Sequence, residues 1–126
     1  MTKPKILMVD DEQDYTTITK VYLEEAWECE VHPVNFSTQG LASAKALRPD
    51  IILLDISMPD LSGRELASQL KKDPDFKNTP IVFFTGVADD IDDIDAGKRK
   101  IDGYPYLTKP VSGEVLLAFI KKQLVR

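Results

Sequence analysis

The sequence predicts one α/β domain, a (βα)5 chain whose five strands form a doubly wound parallel sheet covered by helices on both faces. Three observations carry this. The runs Ile6-Leu7-Met8-Val9, Ile51-Ile52-Leu53-Leu54 and Ile81-Val82-Phe83-Phe84 have the length and unbroken hydrophobicity of strands buried on both faces. Each stops at a polar group: Asp10-Asp11, Asp55 and Thr85-Gly86. Between the runs, apolar residues recur at helical spacing, so that strand and helix alternate.

After the first strand, Tyr15, Ile18, Val21, Tyr22, Leu23 and Ala26 mark a helix, with Asp14 as its expected cap. Trp27 then covers the core at the helix end. The segment from Cys29 to Val34 alternates as a strand does, and Pro33, which cannot donate a ladder hydrogen bond, assigns it to a sheet edge. His32 is a plain residue of that edge strand. Ser37 or Thr38 opens a second helix through Leu41, Ala44, Ala46 and Leu47, which Pro49 closes. Beyond the strand ending at Asp55, residues 56–63 form a loop into a helix from Arg64 to Lys72, with Leu66, Ala67 and Leu70 facing inward. Asp73-Pro74-Asp75 and Asn78-Thr79-Pro80 are turn signals before the fourth strand.

Ile91, Ile94 and Ile101 can share one face of a fourth helix, but Gly97 interrupts the pattern, so this helix is expected to be short or irregular and the segment mobile or displaced. Tyr104-Pro105-Tyr106-Leu107 reads as the last strand, whose proline again implies an edge. Val115, Leu116, Phe119, Ile120 and Leu124 give an amphipathic C-terminal helix. With the second and fifth strands at the edges, the order is 2-1-3-4-5, that of the flavodoxin-like fold.

A length of 126 residues suits one domain, residues 1–126, with no effector domain. At 43% hydrophobic and 29% charged residues the composition is globular, and no apolar run reaches the roughly 20 residues of a membrane span. The start of the chain lacks the features of a secretory signal, so the expected location is cytoplasmic, without membrane insertion. The single Cys29 has no cysteine partner for a disulfide or metal site and reads as a small buried residue. A net charge of -5 argues against direct nucleic-acid binding. Residues 89–95 carry five Asp and residues 98–100 read Lys-Arg-Lys, which fits a solvated helix with its charges opposing the helix dipole. No register of the acidic run satisfies a calcium loop.

In a parallel sheet all strand C-termini share one rim, so Asp10, Asp11, Asp55, Thr85 and Lys109 converge there. Three crowded carboxylates repel one another unless a cation neutralises them, and oxygen ligands of this kind suit Mg2+. Lys109 adds a positive charge and Thr85 a hydroxyl donor. The set suits a transient phosphoryl group.

The chain resembles the receiver domains of two-component response regulators over essentially its whole length. The resemblance rests on Val9-Asp10-Asp11-Glu12, Asp55-Ile56-Ser57-Met58-Pro59 with Gly63, Thr85-Gly86, and Tyr106-Leu107-Thr108-Lys109-Pro110, in this order and each at a strand end. It implies a phosphoacceptor switch: Asp55 takes a phosphoryl group from a phosphohistidine of a sensor histidine kinase or phosphotransfer protein. It also implies Mg2+ held by Asp11 and Asp55 directly, by Asp10 through water and by the Ser57 backbone carbonyl. Lys109 would pair with the phosphoryl oxygens, Pro110 would follow a cis bond that aims Lys109 inward, and Gly86 would leave room for donor and water. Thr85 and Tyr106 would act as the switch pair, remodelling the surface of the fourth helix, fifth strand and fifth helix for a downstream protein. Homodimerisation on phosphorylation is an option, and acyl-phosphate hydrolysis resets the signal. The domain thus catalyses its own phosphorylation and dephosphorylation rather than turning over small substrates.

Two other classes are distinguishable. A constitutive docking module with the same fold would dispense with some of Asp10, Asp11, Asp55, Thr85 and Lys109, all of which are present. An aspartate-dependent phosphohydrolase needs an acid/base carboxylate two residues beyond the nucleophile, where this chain has Ser57. The run Asp102-Gly103-Tyr104-Pro105-Tyr106 departs from the small residues usual before the last strand of the family, so the fourth helix is where a departure from the family fold is expected.

Overall fold

Four apolar residues and a terminal aspartate, all buried, make up the strand Ile51–Asp55, the middle one of the five parallel strands. The computed structural model describes residues 3–86, 94–95 and 100–125. In chain order these form β1 (Lys5–Val9), α1 (Gln13–Ala26), β2 (Glu30–Val34), α2 (Gly40–Leu47), β3 (Ile51–Asp55), α3 (Gly63–Lys71), β4 (Ile81–Thr85), β5 (Ile94–Asp95), β6 (Lys100–Ile101), β7 (Tyr104–Thr108) and α4 (Gly113–Leu124). Short 3-10 turns, Ser37–Gln39 and Pro74–Phe76, lead into α2 and toward β4.

The sheet order is β2-β1-β3-β4-β7-β6-β5, and the pairings among β2, β1, β3, β4 and β7 are all parallel. With β7 as the fifth parallel strand, the expected 2-1-3-4-5 order holds. Alternation along the strands divides the core. Leu7, Val9, Ile52, Leu54 and Phe83 pack with Ala44 of α2 and Leu66, Ala67 and Leu70 of α3. Ile6, Met8, Ile51, Leu53, Val82 and Phe84 pack with Leu23 of α1 and Leu116 and Ile120 of α4. Cys29 is buried in this second cluster, and Trp27 packs against it from the end of α1, as expected. No helix among the described residues is long and apolar enough to cross a membrane.

Local chemistry sets the helix ends. Asp14 does not cap α1: the cap position falls to Glu12, whose side chain makes no capping bond, and Asp14 lies in the first turn, where its charge faces the positive end of the helix. Ser62 caps α3 reciprocally, its hydroxyl accepting from the Glu65 N–H at 3.2 Å while the Glu65 carboxylate accepts from the Ser62 N–H at 3.2 Å. Arg48, at φ 54°, ends α2 in a left-handed cap just before Pro49.

The second half of the chain departs from the expected alternation in two ways. The fourth helix expected from Ile91, Ile94, Gly97 and Ile101, together with its mobility and the charge runs at 89–95 and 98–100, falls largely outside the described residues. Where that stretch is described it is strand: β5 pairs antiparallel with β6, placing Ile94 opposite Ile101. In turn β6 pairs antiparallel with β7 through Ile101 and Tyr104. The connection is the dipeptide Asp102-Gly103, with φ of 53° and 87°, the two positive values that a two-residue hairpin turn requires. The fifth parallel strand is therefore not an edge. Pro105 removes one donor rather than the strand's capacity to pair. The antiparallel contacts use Tyr104 and Pro105, whereas the parallel ladder to β4 runs from Tyr106 to Thr108. Ile101 is fully buried among the residues facing α2 and α3, and the Tyr104 ring meets Phe83 edge-on at 5.7 Å. Arg64 clamps the turn, with Nε and Nη2 each donating to an Asp102 carboxylate oxygen at 2.7 Å; this fork holds Asp102 below the usual carboxylate range.

Candidate functional site

The parallel strands deliver Asp10, Asp55 and Thr85 to one rim, directly after β1 and at the ends of β3 and β4. Asp10 and Asp55 are buried, and Asp11 stays exposed beside them. The carboxylates of all three offer oxygens that lie within 4.8 Å of one another. Hydrogen bonds fix this corner. The Asp10 N–H donates to the Val34 carbonyl at 3.0 Å. The Asn35 amide donates to the Asp10 carbonyl at 2.8 Å and to the Thr16 hydroxyl at 3.1 Å, tying the β1–α1 junction to the end of β2.

Lys109 reaches into the cluster from the loop after β7, and its backbone N–H donates to the Thr85 carbonyl at 2.8 Å. The Lys109–Pro110 peptide is cis. The ammonium lies 2.6 Å from Asp10 Oδ2, 2.8 Å from Glu12 Oε1 and 3.7 Å from Asp55 Oδ1. Burial alone would pull its pKa down, but the contacts with Asp10 and Glu12 and the charge of Asp55 outweigh it, so Lys109 is held above the ordinary lysine range. Asp55 moves the other way for a carboxylate. Burial first, then the charge of Asp10 and more weakly that of Asp11, push it from 3.8 up to about 7, against the opposing pull of Lys109 and a hydrogen bond from the Ser57 N–H.

The donor set fits a hard divalent cation. The Asp10 Oδ1 accepts from the Glu12 N–H at 2.9 Å, but the buried Oδ2, despite its ion contact with Lys109, is met by no donor at hydrogen-bonding geometry among the described residues. One lysine faces several carboxylates there, and oxygens from Asp10, Asp11 and Asp55 are close enough for a small oxygen-seeking ion such as Mg2+ to draw on.

The remaining residues singled out from the sequence surround this corner at different distances. Ser57 is exposed, with its N–H turned to Asp55. Thr85 is buried and pairs with Thr108 across the sheet. Gly86 is exposed, and a Cβ there would meet no described atom within 4 Å. Tyr106, half-buried on β7, packs against the cluster that faces α2 and α3, as do Met58 and Leu61 of the loop after Asp55. Gly63 is held close by necessity: its N–H donates to the Ile56 carbonyl at 3.1 Å, and a Cβ would run into the Asp55 carbonyl oxygen.

Two neighbours of Lys109 have no role in the sequence reading. Glu12 appears there only as part of a motif, and Tyr15 only as a helix position; the ammonium stands 4.8 Å from the centre of the Tyr15 ring. The contact between Glu12 and Lys109 spans 97 residues. The available signal is the helical step from the Asp-Asp pair, which returns Tyr15 toward the rim one turn later.

Comparison with known proteins agrees with the geometry. A family model described as response regulator receiver domain matches residues 6–121. Protein PilH of Pseudomonas aeruginosa is 34% identical over 120 residues, covering 95% of this chain and 97% of PilH. The DNA-binding dual master transcriptional regulator RpaA of Synechocystis is 30% identical over 126 residues, and the chain spans 50% of the length of that curated relative. Among solved structures, the CheY-like receiver domain protein of Methanospirillum hungatei superposes with a TM-score of 0.81 at 30% identity, covering 98% of this chain and 94% of that one.

Proposed function

The chain belongs to the response regulator receiver family, and on that premise we propose that it is a phosphoacceptor switch in which Asp55 takes a phosphoryl group from the phosphohistidine of a histidine kinase or phosphotransfer protein. The observation that carries this reading is the convergence of Asp10, Asp11 and Asp55 with the Lys109 ammonium at one sheet rim.

Asp55 is the nucleophile. One of its oxygens forms a bond to phosphorus as the phosphorus–nitrogen bond to the donor imidazole breaks and its electron pair leaves with that ring. Asp10, Asp11, Asp55 and the Ser57 carbonyl would hold Mg2+, which when bound supplies positive charge for the ionised Asp55 and for the phosphoryl oxygens. Lys109, already beside Asp55, exchanges a carboxylate contact for a phosphoryl oxygen. The Thr85 hydroxyl is the nearby neutral donor, and the space at Gly86, where no described atom lies within 4 Å of an added Cβ, admits the donor and later the hydrolytic water. Hydrolysis of the acyl phosphate resets the switch. The signal leaves by protein contact, through Thr85 and Tyr106 and the surface formed by β7, α4 and the Asp102-Gly103 hairpin.

Intact-mass spectrometry after incubation with a small acyl-phosphate donor tests this. One added phosphoryl group is expected, dependent on Mg2+ and absent from Asp55→Asn. No adduct on folded, Mg2+-saturated wild type under rapid trapping would replace this reading with the unphosphorylated docking module.

A further inference from the structure

Lys109 is gripped from two sides by the β1–α1 junction. Glu12, with an exposed carboxylate, holds the ammonium at 2.8 Å. The Tyr15 ring lies on another side, its centre 4.8 Å away, within the range at which a cation is attracted to an aromatic face. That ring is itself braced. It meets Phe84 edge-on at 6.3 Å, with the planes at 83°. Phe84 is fully buried and sits in β4 opposite Asp55, immediately before Thr85. The ring is thus anchored on the strand that carries one site residue while it supports the charge of another.

Asp10 and Asp55 are the groups a bound cation would engage, and the incoming phosphoryl group competes with Glu12 for the ammonium. During transfer Asp10 and Asp55 would therefore turn toward the cation, and Glu12 would share the ammonium with the phosphoryl oxygens. Among the described contacts of Lys109, the Tyr15 face is the one that neither the cation nor the phosphoryl group would engage. The Tyr15 hydroxyl oxygen is buried and has no hydrogen-bond partner among the described residues, so what it contributes to this corner is its ring rather than a hydrogen bond.

We propose that Tyr15 is a positioning residue for phosphoryl transfer, its ring face holding the Lys109 ammonium over Asp55 while the lysine exchanges carboxylate partners for phosphoryl oxygens. This rests on Asp55 being the phosphoacceptor. Losing the ring slows transfer, whereas losing only the hydroxyl does not.

The test measures phosphorylation rates with a small acyl-phosphate donor over a range of donor concentrations, together with Mg2+ affinity by calorimetry. Wild type, Tyr15→Phe, Tyr15→Leu, Lys109→Ala and the Tyr15→Leu/Lys109→Ala pair are compared. Tyr15→Leu is expected to lower the maximal rate roughly tenfold at unchanged half-saturating donor and unchanged Mg2+ affinity. Tyr15→Phe is expected to stay within about twofold of wild type, and Tyr15→Leu to add nothing in the Lys109→Ala background. A wild-type rate in Tyr15→Leu, an equal loss in Tyr15→Phe, a parallel loss of Mg2+ affinity, or an undiminished effect without Lys109 would each overturn the role while leaving Asp55 as acceptor. No adduct on the wild type overturns the acceptor reading and Tyr15's role with it.

Discussion

To act as the proposed nucleophile Asp55 must be ionised, yet burial and the neighbouring Asp10 hold its proton up to about pH 7 in the metal-free fold. The unfolded chain releases the same proton near the ordinary 3.8. Between those two values the folded state binds the extra proton, so this residue's contribution to stability is complete below 3.8 and is lost as the pH rises through about 7. Asn in its place carries no such penalty. In chelator, the melting temperature of Asp55→Asn should come closest to wild type below pH 4, exceed it increasingly from there to about pH 7 and keep a constant lead above that, as scanning calorimetry would show. A difference independent of pH would mean that Asp55 is not the group held protonated. Asp55 was legible from sequence because it ends an unbroken apolar run. The pairing of Lys109 with Glu12 and Tyr15 was not, because a contact between residues 97 apart leaves no local trace.

At the scale of elements, the helix α3 shows how closely the site is tied to the fold. Its first residue, Gly63, abuts the backbone of Asp55, whereas Ser62 merely caps it. Ser62→Ala should therefore cost about 1 kcal/mol in urea unfolding and leave phosphorylation intact. Gly63→Ala, which pushes against backbone that cannot swing aside, should cost about 2–3 kcal/mol and slow phosphorylation as well. Equal effects of the two on activity would separate α3 placement from the site. Four of the five expected helices and the five parallel strands followed from periodicity, and the three polar strand ends located the rim. The β6–β7 hairpin did not follow from periodicity, because Ile94 and Ile101, seven residues apart, fit one helix face as well as they fit facing positions of an antiparallel ladder. The deciding signal was the dipeptide Asp102-Gly103 between apolar neighbours, a strong local marker of a two-residue turn. Ser62 with Glu65 three residues on was a second local signature, and it places the start of α3 at Gly63, one residue before the expected Arg64.

For the whole molecule, a cation that binds at Asp10, Asp11 and Asp55 as proposed would stabilise the fold by mass action, by about 2.7 kcal/mol at a hundred times its dissociation constant. It competes with the proton on Asp55, so Mg2+ should raise the melting temperature more at pH 7.5 than at pH 5, and the increment should vanish when Asp11 and Asp55 are both replaced by Asn. An increment that survives those replacements would place the ion elsewhere. The sheet that brings these carboxylates together also partitions the interior: one set of side chains faces α2 and α3, the other faces α1 and α4, with only strand backbone between them. For a lineage under selection, that partition lets the packing of one layer change while the opposite layer keeps its fit, wherever the substituted side chains share no contact. Descendants of this chain can diverge one side at a time.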